Sequence, residues 1–212
     1  MIVTSFEFNM FGEKTYLVFD PETMEGAIID PGMMNSSETD SLFRYISETG
    51  IIVRHIILTH LHIDHILGIH AVKGKFNAEV NAHPDDLFLG KRVKEQIQMF
   101  RLPLDAGNID IDHNLTDGHR IAIGNQYLTV LAVPGHSPGS ISLYSPVDKF
   151  VITGDALFRG SIGRTDLPGG DYATLIKSIN EKLLTLPDDT TVYPGHGPAT
   201  TIGDEKKINP YL

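Results

Sequence analysis

His60-Leu61-His62-Ile63-Asp64-His65 follows directly on the apolar run Ile56-Ile57-Leu58. Four side chains able to bind a metal fall within six residues. Imidazole with carboxylate is the usual nitrogen and oxygen donor combination for zinc and similar divalent ions. Side chains two apart on an extended segment point the same way, so His60 and His62 are expected to share one face just beyond a strand. Asp64 and His65 are expected at the opening of the next helix, read from Ile63 to about Lys75 on the apolar spacing of Ile66, Ile69 and Val72. The positive end of that helix would favour an anionic ligand.

Working outward, Ile2 to Phe8, Thr15 to Phe19 and Gly26 to Asp30 read as strands, the last ended by Pro31-Gly32. Ser36 or Ser37 is expected to cap a helix to about Glu48, with Gly50 as its stop. Ile51 to Thr59 is a strand of the buried type, Ala78 to Ala82 another, and a helix is predicted from Pro84 to Phe100. Short strands and turns then run from Ile109 to Val133, with further strands at 140–144, 150–153 and 190–193 and a helix over 172–186. A rough strand–helix alternation runs once in each half, which would fit an internal duplication.

Three later positions repeat one theme, a candidate ligand in a glycine-marked turn after an apolar strand. They are His136 in Val133-Pro134-Gly135-His136, Asp155 after Val151-Ile152-Thr153-Gly154, and His196 in Val192-Tyr193-Pro194-Gly195-His196. Loops at strand ends carry chemistry in such folds. The donors His60, His62, Asp64, His65, His136, Asp155 and His196 are too many for one catalytic zinc, which takes about three protein ligands and keeps a position for water. They suit two ions sharing a bridging carboxylate, with water ionised near neutral pH as the nucleophile. Asp64 and Asp155 are the carboxylates expected to act in catalysis.

Composition narrows the alternatives. The chain has 212 residues, 41% of them hydrophobic and 21% charged, which is enough for one domain with a substantial core. A formal charge of −10 without any basic run argues against a nucleic-acid partner. No cysteine is present, so thiolate ligands, disulfides and a cysteine nucleophile are excluded. Neither a signal peptide nor an apolar run long enough to span a bilayer is read, so a cytoplasmic enzyme without a membrane partner is expected, its substrate a small molecule. The sequence says nothing of oligomeric state.

The order and spacing of these motifs resemble the metallo-β-lactamase superfamily from Asp30 to His196. That resemblance implies a four-layer αβ/βα sandwich with the metals at one edge of its sheets, one domain spanning residues 1–212. It implies that His60, His62 and His136 bind one ion, that Asp64, His65 and His196 bind the other, that Asp155 bridges, and that Asp30 supports the site from behind. Zinc is the expected metal, with iron or manganese as the other candidates.

Within the superfamily, the run from Gly154 to Asp166 is similar to glyoxalase II-type hydrolases. This implies hydrolysis of a hydroxyacylglutathione-like thioester by a bridging hydroxide held between two divalent ions. Arg164 sits where that family has a basic residue contacting the glutathione part of the thioester. Asp166 stands where its better-known members have tyrosine. Only 16 residues follow His196, so the family's C-terminal glutathione-binding helical domain is not expected. The alternatives are a persulfide dioxygenase with one iron, whose Gly-Arg-Thr-Asp run is matched at Gly163 to Asp166, and a non-catalytic metal-binding domain. Phe8, Met10 and Phe11 either wall a substrate pocket or pack a hairpin. His55, His70, His83, His113 and His119 match no ligand position.

Overall fold

The computed structural model describes residues 1–212 and divides into two compact units, one of residues 1–114 with 123–126 and one of residues 115–122 with 127–212. Strands β1 (Ile2–Phe8), β2 (Glu13–Phe19), β3 (Glu25–Ile29), β4 (Ile52–Ile57), β5 (Glu79–Ala82) and β6 (His113–Asn114) form the six-stranded sheet of the first unit, in that order. β1, β2 and β3 pair antiparallel; β3 to β6 pair parallel. Parallel neighbours need a crossover. Helix α1 (Ser36–Thr49) supplies the one between β3 and β4, capped by Asn35 and stopped by a left-handed Gly50. Helix α2 (Ile69–Phe76) lies within the one between β4 and β5. Leu17, Ile28, Leu42, Ile56, Leu58 and Val72 are fully buried in the core that results.

Parallel pairing sets the edge where chemistry gathers. Ile29 lies opposite Ile57, so Asp30 and the segment Leu58-Thr59-His60 leave the sheet side by side. The residues between the histidines serve the core: Leu61 and Ile63 are buried to 1% exposure or less, each burial stabilising by about 1.5–3 kcal/mol.

Two predicted helices are interrupted. The stretch from Ile63 to Lys75 is a single 3-10 turn at Ile63–His65 followed, after Gly68, by α2. The Gly68 amide donates to Pro31 O at 2.7 Å, a tertiary contact that competes with continuous helix. Asp64 and His65 therefore occupy a tight turn and not the start of an α-helix. The stretch 84–100 becomes a 3-10 turn, α3 (Leu87–Gly90) and α4 (Val93–Met99), broken at Arg92, whose φ of −121° and ψ of 34° are not helical.

The second sheet contains β7 (Arg120–Ile123), β8 (Gln126–Ala132), β9 (Ile141–Ser145), β10 (Phe150–Gly154), β13 (Thr191–Pro194) and β14 (Thr200–Thr201), in the order β14-β13-β10-β9-β8-β7. A separate ribbon pairs β11 (Leu157–Phe158) with β12 (Ser161–Ile162). Helix α5 (Tyr172–Ser178) lies between β12 and β13 and continues as a π-type turn over Ile179–Leu183. β14 and α6 (Ile202–Ile208) were not foreseen from sequence. β8 and β10 both run antiparallel to β9, and β10 runs parallel to β13. The C-terminal ends of β8, β10 and β13 thus share one edge, which places the turns of His136, Asp155 and His196 together.

Gly135 shows how closely that edge is built. Its φ is +134°, which side chains disfavour, and a Cβ there would strike Leu175 of α5. Gly135→Ala is expected to cost about 2–5 kcal/mol from backbone strain plus overpacking, seen as a lowered midpoint in thermal unfolding. An unchanged midpoint would refute this account of the turn.

Candidate metal centre

In the first unit the loop after β4 is fixed from behind by hydrogen bonds. Asp30 Oδ1 accepts from the Thr59 amide at 2.7 Å, and Asp30 Oδ2 accepts from Thr59 Oγ1 at 2.6 Å. Asp30 Oδ2 also lies 3.1 Å from His65 Nδ1, which must donate to it. The Thr59 hydroxyl proton is committed to Asp30, so His60 Nδ1, 3.0 Å away, donates to Thr59 Oγ1. One buried carboxylate therefore sets the tautomer of two histidines and leaves Nε2 of each as the nitrogen able to hold a metal. Asp86 Oδ2 accepts from Leu61 N at 3.1 Å, and Gln96 donates to Leu61 O at 3.3 Å. The His60 and His62 rings stand edge to face with centroids 4.9 Å apart, and His65 Nε2 lies 3.7 Å from Asp64 Oδ2.

In the second unit, register decides the geometry. Gly154 pairs with Pro194, and the Gly195 amide donates to Gly154 O at 2.8 Å, so Asp155 and His196 emerge together. Asp155 Oδ2 lies 3.6 Å from His136 Nε2 and 3.6 Å from His196 Nε2. His136 Nδ1 donates to Arg164 O at 2.7 Å, so this ring too presents Nε2.

The donor set fits divalent ions. Two ligands on one tetrahedral ion, at bonds of about 2.1 Å, lie roughly 3.4 Å apart. The pairs at 3.6–3.7 Å match that spacing better than a hydrogen bond between the same atoms. All donors are imidazole or carboxylate, so harder ions such as iron and manganese are accepted along with zinc. One oxygen of Asp155 placed evenly between two imidazoles is the arrangement a bridging carboxylate requires.

Two other carboxyls bear on the site. Burial pushes Glu13 well above the usual carboxylate range; nearby Asp30 and Asp64 add to this, while His65 and a hydrogen bond with Thr15 oppose it. Thr15 Oγ1 shares its proton between Asp30 O at 2.7 Å and Glu13 Oε2 at 3.1 Å. Arg164 makes a two-pronged pair with Asp166, Nε to Oδ1 at 2.6 Å and an Nη to Oδ2 at 2.7 Å. The guanidinium holds the Asp166 carboxyl down to about 2.

Several supporting residues escaped the sequence reading. Thr59 was within reach, being the residue before His60. Asp86, Gln96 and Asn9, whose amide reaches Asp64 O, carry no local signal, because each acts through a contact far away in sequence. Phe8 is a core residue; Phe11 packs edge to face on Phe100 at 5.7 Å, and Met10 is exposed. His83 caps a turn through the Asp85 amide, His70 meets Gly107 O, and His113 pairs with Glu79.

Fold and donors together define a metal-binding α/β protein, and comparison with known proteins gives its family. Residues 11–196 match the metallo-beta-lactamase superfamily, and the chain belongs to it. It is 44% identical over 143 residues to the hydroxyacylglutathione hydrolase GloC of Haemophilus influenzae, a match covering 66% of this chain and 67% of that one. Among solved structures, the BLEG-1 B3 metallo-beta-lactamase superposes with a TM-score of 0.90 at 34% identity, covering 100% of this chain and 99% of that one. TTHA1623 in a di-iron-bound form gives 0.87 at 36% identity, with 100% of both chains covered. No helix is long and apolar enough to cross a membrane.

Asp30→Ala removes the partner of His65 and, through Thr59, of His60. It is expected to weaken zinc binding about 10–100-fold in competition with a chelator. Unchanged affinity would show that Asp30 only ends a strand. Glu13 adds a pH dependence. Its folded pKa lies above the unfolded value, so its contribution is present below that value and is lost as pH rises through the folded one. Glu13→Gln should therefore flatten the decline in stability of the metal-free protein as pH rises above the ordinary carboxylate range. Parallel urea-melt profiles for the two proteins would count against a neutral Glu13.

Proposed function

We propose that this chain is a metal-dependent hydrolase acting on a thioester of the hydroxyacylglutathione type. The observation that carries the reading is the Asp155 oxygen held 3.6 Å from both His136 and His196, a carboxylate poised to be shared by two ions. Membership of the superfamily and the identity to GloC support it. Carried onto this sequence residue by residue, the ligand assignment is His60, His62 and His136 for one ion and Asp64, His65 and His196 for the other, with Asp155 common to both. When bound, two such ions supply a water that ionises near neutral pH and a Lewis acid that polarises a carbonyl. Zinc is the proposed metal, and the di-iron form of TTHA1623 makes iron the first substitute to test.

The chain's own residues do the orienting. Asp30 and Thr59 fix the rings of His60 and His65, and the Arg164 carbonyl fixes His136. The Arg164 guanidinium is the proposed contact for an anionic substrate group. It is exposed and pairs with Asp166, so an incoming carboxylate would take the place of that partner.

The test is metal quantification on purified protein paired with hydrolysis of S-lactoylglutathione. Two ions per chain and thiol release are expected. One iron with oxygen consumption on a persulfide would replace this reading with the dioxygenase. Turnover of a β-lactam without thioesterase activity would replace it with a lactamase. His62→Ala and Asp155→Ala should each lower kcat/KM by more than about 100-fold, beyond what loss of an outer partner costs, while circular dichroism stays native. Arg164→Ala should raise KM up to about 5-fold, in line with an exposed ion pair, and leave kcat alone.

A further inference from the structure

Asn9 sits at the turn between β1 and β2, a position that sequence reading passes over. Its φ is +50°, a conformation asparagine tolerates better than most residues. Its main-chain N–H donates to Glu38 Oε1 at 3.1 Å, and the other oxygen of Glu38 accepts from Met34 N at 2.7 Å. The turn is thereby tied to the first turn of α1 and to the loop after β3. Asn9 Oδ1 accepts from the Phe11 amide at 2.9 Å, which settles which way the side-chain amide faces. Nδ2 then has two protons and two acceptors, Gly32 O at 2.9 Å and Asp64 O at 3.0 Å.

Those two carbonyls belong to the loops that matter most. Gly32 follows two residues after Asp30, and Asp64 is one of the proposed ligands. Gly32 has no room for a side chain, since a Cβ there would meet the Glu13 carboxyl and the Asp64 carbonyl. The main chain at Asp64 is therefore pressed against the Pro31-Gly32 turn and held there by one amide. His65, the next residue, is held from its ring by Asp30. His60 and His62 are supported without Asn9, through Thr59 to Asp30 and through Leu61 to Asp86 and Gln96.

We propose that Asn9 is a positioning residue that sets the ion site of Asp64 and His65 and leaves the site of His60 and His62 untouched. The inference rests on the ligand assignment proposed above. Its signature is a split between two affinities, which a general loss of stability does not produce.

The experiment loads the full-length protein with cobalt(II) and withdraws the metal with a graded chelator, following the visible absorption of each ion. Asn9→Gly keeps the positive φ and deletes the clamp. Asn9→Asp keeps the acceptor for Phe11 and turns a carboxylate toward the two carbonyls. In each variant the ion of Asp64 and His65, identified by the absorption that Asp64→Ala abolishes, is expected to be lost about 10–100-fold more easily than in the wild type, and the other at the wild-type concentration; selective loss of the other ion would overturn the proposal. Metal-free melting curves of the variants show whether they fold; one folded variant suffices for the measurement. Two unchanged affinities, or two that fall equally, would overturn the positioning role. A wild-type protein that takes up no cobalt, or a single ion, would instead overturn the two-ion assignment itself.

Discussion

The carboxylate of Asp30 is the constraint from which the site is built. It takes three hydrogen bonds, from the amide and hydroxyl of Thr59 and the ring of His65, at a position 1% exposed. Charge-assisted bonds of this kind are strong, and a buried carboxylate deprived of them would be costly. The chain accepts a left-handed backbone at Asp30 itself, with φ of +50°, to aim the group. Parallel pairing of β3 with β4 makes the arrangement possible, because it delivers Asp30 and Thr59 to one edge in register. A polar contact and a strand register thus specify each other.

Much of this is written in short-range sequence. The ligand-rich stretch at 60–65 and the glycine-marked turns at His136, Asp155 and His196 are local patterns. The structure places each of them beyond a strand end, as expected of an α/β protein. Asp30 entered through the family resemblance, since by local pattern alone it only ends an apolar strand before Pro31-Gly32. The illegible part consists of effects at a distance. The helix from Ile63 breaks because Gly68 bonds to Pro31, 37 positions earlier, and no window of sequence contains both. Gln96 reads as an ordinary polar helix residue until its amide is seen on Leu61 O. Arg164 illustrates a subtler gap: its side chain drew attention, while its backbone carbonyl orients a histidine.

Electrostatically the site gathers acids in a chain already at −10. Asp30, Asp64 and a fully buried Glu13 influence one another in the first unit. Protonation of Glu13 relieves one charge, and hydrogen bonds from Thr59 and the His65 ring stabilise that of Asp30. Two divalent cations would reverse the local balance, and by mass action a tightly bound ion also stabilises the fold that binds it. The same acids that make the metal-free protein less comfortable make the loaded one more secure.

The supports of the metal loop come from the β1–β2 turn, from β3, from the turn before α3 and from α4, each through a single side chain. This distribution separates two kinds of mutational freedom. Met10, next to the clamping Asn9, is exposed and makes none of those bonds. Arg159, next to a Gly160 amide that Glu205 holds at 2.9 Å, is exposed as well. Such exposed neighbours can vary while the residue beside each keeps the frame in place. A protein arranged in this way can change its surface one residue away from what holds its site together.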